Sequence, residues 1–215
     1  ACAWDPHSES TQLAVAFASQ LQVLDIRTMG KRNASSSSSR SGGGIHIAGA
    51  HTGGITDVDF NPSRQYVVAT TGRDRCVRVW DIRKNDAAVC VLRGHSHWGC
   101  CVRYNPVHDQ LILSGGSDHA AMLWRVASHS SSPWLCSPSE DTNEQQAGSV
   151  QGGDATGDSS NDPPDTLTKV IDQHEDSIYS VAWSRVDPWV FASLSFDGRI
   201  VLSHVPSAEK YKILL

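Results

Sequence analysis

Residues 94–124 read GHSHWGCCVRYNPVHDQLILSGGSDHAAMLW, and this stretch carries the pattern that decides the fold. It opens on Gly-His, passes through alternating apolar positions to an Asn-Pro turn, and ends on Ser-Asp followed by Trp. An interval of 23 positions separates its histidine from its aspartate, and the same interval occurs in the pairs His51–Asp74, His95–Asp118 and His174–Asp197. A recurring interval predicts a repeat architecture.

The repeat that contains His51 shows the predicted strand pattern most clearly. Its four runs of β-branched and aromatic residues are ITDVDF (55–60), YVVATT (66–71), CVRVWDI (76–82) and AAVCVL (87–92). Asn-Pro and Gly-Arg-Asp separate the runs and are turn signals. Four short strands in about 40–45 residues, with Gly-His in front and Trp-Asp behind, are typical of one blade of a β-propeller.

The remaining repeats are less regular. LTKVI (167–171) is the expected fourth strand of the repeat that begins at His95, and the last repeat contains IYSVAW (178–183), VFASLS (190–195) and RIVLSHV (199–205). Residues 1–27 resemble the back of a repeat, in which Ala18 replaces the turn aspartate. KYKILL (210–215) predicts a further strand. The repeats are expected near 1–48, 49–92, 93–172 and 173–215.

Two segments interrupt the repeats. Residues 28–44 are rich in Ser and Gly, and we expect a flexible loop there because such a run cannot bury enough apolar surface to offset its ordering entropy. Residues 128–166 contain seven acidic and no basic residues and predict a disordered acidic insertion.

Charge and hydropathy exclude several classes of function. The 215 residues include 18 basic and 23 acidic ones, so the part outside the insertion is nearly neutral and lacks the positive field that nucleic-acid binding needs. No apolar run approaches the roughly 20 residues of a membrane-spanning helix. The chain begins without Met and inside a repeat, which we interpret as a fragment. The six cysteines form no CxxC pair, which favours reduced thiols in a cytosolic protein.

These repeats resemble WD-repeat β-propellers. The resemblance implies an all-β fold, here an incomplete ring of about three and a half to four four-stranded blades from a seven-bladed parent. It also implies a hydrogen-bonded set in each blade: His51, Thr70, Asp74 and Trp80; His95, Ser114, Asp118 and Trp124; and His174, Ser193 and Asp197, where Ser203 replaces the tryptophan. A buried turn carboxylate has to be paired, and an imidazole N–H can pin the loop to the turn.

Two chemical alternatives use the same residues. A Ser-His-Asp hydrolase is disfavoured because a catalytic triad occurs once and needs an oxyanion hole. A zinc site at His95, His97, Cys100 and Cys101 is disfavoured because adjacent cysteines point to opposite faces of a strand. We therefore expect no catalytic residue, no metal and no cofactor. Partner binding is expected at the residues that flank the repeated set: Arg73, His97, Trp98, Glu175 and Asp176.

A narrower resemblance rests on HSHW (95–98), VHDQL (107–111), HEDSIY (174–179), the ending KYKILL and the position of the acidic insertion. These pieces are similar to the family of EARP- and GARP-complex interacting proteins. The resemblance implies a non-enzymatic adaptor that associates with subunits of multisubunit tethering complexes. It also implies a role in endosomal recycling and retrieval to the trans-Golgi network, and a cytoplasmic protein that is peripheral at both membranes. The missing front of the propeller and the long Ser/Gly loop depart from the family pattern.

Two other functions remain open from the residues alone. WDIR (80–83) resembles the WDxR box with which substrate receptors of cullin-type ubiquitin ligases bind their adaptor, with Asp81 and Arg83 as the contact residues. The simpler interpretation is that Arg83 caps a strand end. A chromatin-binding role has only the acidic insertion in its favour.

An open arc of blades predicts poor solubility, because unpaired strand edges favour association between chains. We expect the chain, expressed alone, to be poorly soluble and to form aggregates in size-exclusion chromatography as its concentration rises. A monodisperse monomer with a sharp cooperative melt at high concentration would contradict this expectation.

Overall fold

The computed structural model describes residues 1–7, 11–29, 44–84, 87–131 and 165–214. Most of the two predicted loops, 28–44 and 128–166, lies outside the described residues. The described ends of the acidic insertion are anchored to one another, because the backbone N–H of Ser128 donates to Asp165 Oδ1 over 3.3 Å and its hydroxyl donates to Asp165 Oδ2 over 2.7 Å.

Four antiparallel sheets follow one another along the chain. The first contains β1 (Cys2–Trp4), β2 (Gln12–Phe17), β3 (Gln20–Asp25) and β4 (Ile45–Ile47), with a short helix α1 (Ile26–Met29) after β3. The second contains β5 (Ile55–Phe60), β6 (Val67–Gly72), β7 (Cys76–Asp81) and β8 (Cys90–Arg93). The third contains β9 (Gly99–Tyr104), β10 (Leu111–Gly116), β11 (Ala121–Arg125) and β12 (Thr166–Ile171). The fourth contains β13 (Ile178–Trp183), β14 (Val190–Ser195) and β15 (Ile200–His204), and a helix α2 (Ser207–Leu214) follows it.

The sheets, which we call blades 1 to 4, pack in sequence. Strand β5 contacts β1 and β2, strand β9 contacts β5 and β6, and strand β13 contacts β9 and β10. The blades therefore form an arc whose core lies between neighbouring sheets. Strands β6 and β10 are buried along their whole length, as expected for central strands covered on both faces. The prediction of an all-β chain is confirmed, and its strands begin and end close to the predicted positions, apart from β8, which begins at Cys90.

The prediction of a strand at KYKILL was wrong, because residues 207–214 form α2. Pro206 precedes the helix, and its carbonyl accepts hydrogen bonds from the backbone N–H groups of Glu209 and Lys210, as is common where proline opens a helix. The Glu209 carboxylate is buried between Arg125 Nη1, 3.5 Å away, and Lys212 Nζ, 2.7 Å away. The spacing of Glu209 and Lys212 is the helical i, i+3 spacing.

The Asn-Pro turns connect the first and second strands of blades 2 and 3 at one end of the sheets, which we call the turn end. The side-chain oxygen of Asn105 accepts hydrogen bonds from the backbone N–H groups of Val107 and His108, and its amide nitrogen donates to the carbonyl of Pro188 in blade 4 over 2.6 Å. Asn61 has the same role in blade 2, and its amide nitrogen donates to Asp109 Oδ2 in blade 3 over 3.2 Å. A turn residue thus also ties neighbouring blades together.

Carboxylates of blade 2 hold the inner strand of blade 3. The backbone N–H of Val102 donates to Asp57 Oδ2 over 3.1 Å, and that of Tyr104 donates to Asp59 Oδ2 over 2.8 Å. Arg103 Nη1 lies 2.5 Å from Asp57 Oδ2. Burial raises the pKa of Asp59 to about 6, although the hydrogen bond from Tyr104 and the charge of Arg103 oppose the rise. The charged form of Asp59 therefore lowers the stability of the folded chain at neutral pH.

The variant Asp59→Asn should be more stable than the parent chain at neutral pH and no more stable in mild acid. The pKa of Asp59 is about 6 in the folded chain and 3.8 in the unfolded chain. Protonated Asp59 therefore favours the folded parent chain fully below the unfolded pKa, and this contribution is lost as pH rises through about 6. Asparagine keeps an acceptor for the Tyr104 N–H without the charge, so we expect a gain of roughly 1–3 kcal/mol at pH about 7 in urea unfolding.

The matched control is Asp57→Asn, which removes the ion pair with Arg103 and should destabilise the chain. A pH dependence of unfolding that is identical in the parent chain and in Asp59→Asn would contradict the assignment.

Candidate functional site

A buried histidine fastens the loop before blade 3 to the hairpin between β10 and β11. His95 Nδ1 lies 3.0 Å from Asp118 Oδ1, and His95 Nε2 lies 2.8 Å from Ser114 Oγ. The indole N–H of Trp124 donates to the same Ser114 oxygen over 2.8 Å. The backbone N–H of Ser96 donates to Asp118 Oδ2 over 2.8 Å. We call this arrangement a latch.

The partners assign the direction of each hydrogen bond. A carboxylate only accepts, so the Nδ1 of His95 carries the proton. Its Nε2 accepts from the Ser114 hydroxyl, which in turn accepts from the Trp124 indole. The chain of donors thus runs from tryptophan through serine and histidine to aspartate, and each buried polar atom in it has a partner.

The latch of blade 2 has the same geometry with a threonine in the place of the serine. His51 lies 2.7 Å from Asp74 Oδ1 and 2.8 Å from Thr70 Oγ1, and the Trp80 indole N–H donates to Thr70 Oγ1 over 2.9 Å. Burial lowers the pKa of His51, although the hydrogen bond that its Nδ1 donates to Asp74 opposes the change. Burial acts to raise the pKa of Asp74, but hydrogen bonds from His51 and Arg78 outweigh it and hold that pKa below its usual value.

The latch of blade 4 is looser. His174 Nε2 lies 2.8 Å from Ser193 Oγ, but His174 Nδ1 lies 3.4 Å from Asp197 Oδ2, and Ser203 stands where the other latches have tryptophan. In blade 1 the hairpin between β2 and β3 has two residues, Ala18 and Ser19, and neither is a carboxylate. The latches of blades 2 and 3 are therefore complete, whereas blade 4 has a looser latch and the hairpin of blade 1 has no carboxylate.

The latch resembles a Ser-His-Asp triad in its distances but cannot act as one. Ser114 and Thr70 are 0% exposed and Ser193 is 2% exposed, so no substrate carbonyl can reach their hydroxyl oxygens. In blades 2 and 3 the hydroxyl also accepts an indole N–H, which occupies the oxygen that would attack. Within the described parts of the chain, no three His, Cys, Asp or Glu side chains are placed to hold a metal ion.

The predicted partner-binding residues form two groups at the end of the arc that carries the latches, which we call the latch end. The first group joins blades 2 and 3. The Arg73 guanidinium carbon lies 5.1 Å from the centroid of the Trp98 ring, and the His97 ring lies 5.0 Å from the same ring. Trp98 is 46% exposed. A cation stacked on a half-exposed tryptophan presents both charge and apolar surface to solvent.

The second group lies at blade 4. Glu175 Oε1 pairs with Arg199 Nη1 over 2.7 Å, and the Glu175 backbone N–H donates to Asp197. The carbonyl of Glu175 lies 2.8 Å from Nδ1 of His119 in blade 3. Asp176 is exposed. At the latch end, blades 2 and 3 thus present Arg73, His97 and Trp98, whereas blade 4 presents Asp176 and the ion pair of Glu175 with Arg199.

A family model described as the EIPR1 beta-propeller matches residues 1–124. The chain belongs to this family. A second model, the WD domain with its G-beta repeat, matches residues 165–202. The match to both confirms the prediction of a WD-repeat propeller, present here as an arc of blades.

Curated relatives match almost the whole chain. The EARP and GARP complex-interacting protein 1 of Macaca fascicularis is 40% identical over 99% of this chain and 51% of its own length. The human protein of the same name is 39% identical over 99% of this chain and 51% of its own length. The EARP-interacting protein 1 of Caenorhabditis elegans is 36% identical over 98% of this chain and 52% of its own length. The chain spans about half the length of the curated relatives that it matches.

Asp81 and Arg83, the two predicted contact residues of the WDIR box, bind each other. Arg83 donates to the Asp81 carboxylate from its backbone N–H, from Nε over 2.9 Å and from Nη2 over 2.7 Å, and its guanidinium stacks on Tyr66 at 5.2 Å. Arg27 and Asp25 form the same fork in blade 1. The same pairing of aspartate and arginine thus occurs at the end of the third strand in blades 1 and 2. This recurrence favours the interpretation that Arg83 caps a strand end.

Sequence reasoning missed two features. One is the pair of carboxylates on β5, Asp57 and Asp59, whose alternation in ITDVDF was a signal that both face the same neighbour. The other is the backbone at Arg75 and His119, which adopt left-handed φ values of 67° and 65°. No pattern in the sequence indicated that the residue after each turn aspartate is left-handed, because only blade 4 has glycine there.

The variant Ser114→Ala should cost more stability than Ser193→Ala. Removing the Ser114 hydroxyl leaves two buried groups without a partner, the Trp124 indole N–H and the His95 Nε2, so we expect a loss of about 2–4 kcal/mol in the free energy of unfolding. Ser193→Ala leaves only the His174 ring nitrogen without its partner, so we expect a loss of about 1–2 kcal/mol in the free energy of unfolding. Chemical unfolding of both variants is the measurement, and equal losses would refute the proposed donor chain.

Proposed function

We propose that this chain is a non-enzymatic scaffold that binds the EARP and GARP tethering complexes. We also propose that it supports endosomal recycling and retrieval from endosomes to the trans-Golgi network. It would act in the cytoplasm, peripherally at these two compartments. In the part of the chain that the structure describes, no helix is long and apolar enough to cross a membrane.

The observation that carries the proposal is the family itself. The relatives that match 98–99% of the chain are named for interaction with EARP or with both EARP and GARP. The geometry adds a reason to look for binding and not for catalysis. In the latches of blades 2 and 3, the hydroxyl, the imidazole and the carboxylate hydrogen-bond one another inside the blade.

We further propose that the latch end is the binding surface, through Arg73, His97, Trp98, Glu175 and Asp176. These residues are exposed and differ between blades, whereas the latch residues beneath them repeat. Trp98 is the strongest candidate for an energetic hot spot, because tryptophan and arginine dominate such sites and Trp98 is already stacked with Arg73.

Affinity purification of the tagged chain from cells, followed by mass spectrometry, tests the proposal. We expect subunits of EARP and GARP to be recovered, and Trp98→Ala to reduce their recovery at least about tenfold while leaving the melting temperature of the chain nearly unchanged. The loss should not depend on folding, because the ring is half exposed.

The control is Arg83→Ala, which removes an exposed arginine of the WDIR box. Recovery of the tethering complexes should survive this change. If the parent chain recovers no tethering subunit, the proposed function is wrong. If instead Arg83→Ala removes a ubiquitin-ligase adaptor that the parent chain binds, the ligase function takes its place.

A further inference from the structure

A recess opens at the latch end between blades 1 and 2. Its volume is about 520 Å³, and its lining residues are Ala18, Gly53, Gly54, Ile55, Thr56 and Arg73. The short hairpin of blade 1 forms one wall. The other wall comes from the loop that follows His51, so the recess lies directly beside the latch of blade 2.

Bare backbone keeps the recess open. Gly53 and Gly54 adopt φ values of 85° and 110°, a conformation that an L side chain rarely adopts. A Cβ at Gly53 would lie 3.4 Å from the Cβ of Arg73, and one at Gly54 would lie 3.4 Å from the carbonyl oxygen of Ala18. Both Cβ positions are at ordinary van der Waals distance, so it is the backbone conformation that favours glycine on this wall.

Two exposed arginines, Arg73 and Arg75, place positive charge beside the recess. The carboxylate of Asp74, which follows Arg73 in the sequence, is already bound by His51 and by Arg78, whose Nη1 lies 2.5 Å away. Arg73 and Arg75 are exposed on either side of Asp74. Stacking on Trp98 fixes the guanidinium of Arg73 at the mouth of the recess, so less side-chain entropy is lost when it binds an anion.

Two exposed side chains at the latch end lie on left-handed backbone. Arg75 and His119 have left-handed φ values at the hairpin position where blade 4 has Gly198, with a φ of 79°. Glycine adopts this conformation without strain, whereas other residues do not. Blades 2 and 3 thus carry exposed basic or titratable side chains where the turn alone would favour glycine, and strain of this kind concentrates at functional sites.

We propose that the recess beside Arg73 binds an extended acidic segment of a partner protein. Carboxylates of the segment lie against Arg73 and Arg75, and an apolar side chain covers Trp98. This inference rests on the proposed function, since it names the chemistry of the segment that a tethering subunit would contribute. An anionic membrane or nucleic acid fits less well, because such an extended anionic surface would also face the exposed acidic residues Glu175 and Asp176 at the latch end, whereas a short segment can be confined to the recess.

The test is equilibrium binding of the purified chain to purified EARP and GARP complexes and to a fluorescein-labelled, glutamate-rich peptide. Arg73→Glu should weaken both interactions at least about tenfold, and added salt should weaken binding by the parent chain. The matched control is Arg185→Glu, which reverses an exposed charge in the turn that joins β13 to β14 and should leave both affinities within about twofold. A glutamine counterpart of the peptide should bind neither chain.

Each outcome separates the two proposals. If the parent chain binds the complexes and Arg73→Glu binds them as well as Arg185→Glu does, the recess assignment is overturned and the proposed function stands. If the parent chain binds no complex, the proposed function fails, whereas selective loss of the acidic peptide in Arg73→Glu still supports the recess. Binding to phosphatidylserine vesicles without binding to the peptide would overturn the assignment. Should Arg73→Glu fail to fold, Arg73→Gln carries the same test.

Discussion

A histidine ring hydrogen-bonded through both of its nitrogens organises each latched blade. In blade 3, the ring of His95 connects the loop that enters the blade to the hairpin that turns it, and the Ser114 hydroxyl connects the ring to Trp124. Because the ring and the hydroxyl are buried, each would be costly without its partner. The interaction therefore fixes the loop, the hairpin and the third strand together. It also determines which neighbouring side chains, such as Trp98, point into solvent.

Contacts between the blades depend on a different kind of interaction. Carboxylates of β5 accept backbone N–H groups of β9, and asparagine amides at the turn end donate to the next blade. These contacts are polar, whereas the core between the sheets consists of aliphatic and aromatic side chains. The arc thus combines a repeated histidine latch within blades with carboxylate and asparagine hydrogen bonds between blades.

Much of this could be predicted from the sequence, because the signals were local. The period-two runs, the Asn-Pro turns and the interval from histidine to aspartate each report on a segment of one blade. The C-terminal helix could not be read in this way. KYKILL alternates in polarity, and the choice of helix depends on Pro206 and on Arg125, which is distant in sequence but pairs with Glu209.

The candidate site was predictable only in its outline. The positions that flank the repeated histidine and aspartate were predicted as candidates for partner binding, but the stacking of Arg73 on Trp98 joins residues of different blades. The recess depends on a hairpin in blade 1 that is shorter than its counterparts, and on φ values that only the folded backbone shows. Such features arise from the packing of blades and leave no periodic signal.

We propose that the latches are internal fastenings and that the exposed latch end makes the functional contacts. Hydrogen–deuterium exchange of the chain, alone and with purified EARP or GARP complex, tests this proposal. We expect slower amide exchange on binding at residues 52–54, 73–75 and 96–98, with the buried strands β6 and β10 unchanged. Slower exchange confined to the turn end, at residues 61–66 and 105–110, would contradict it.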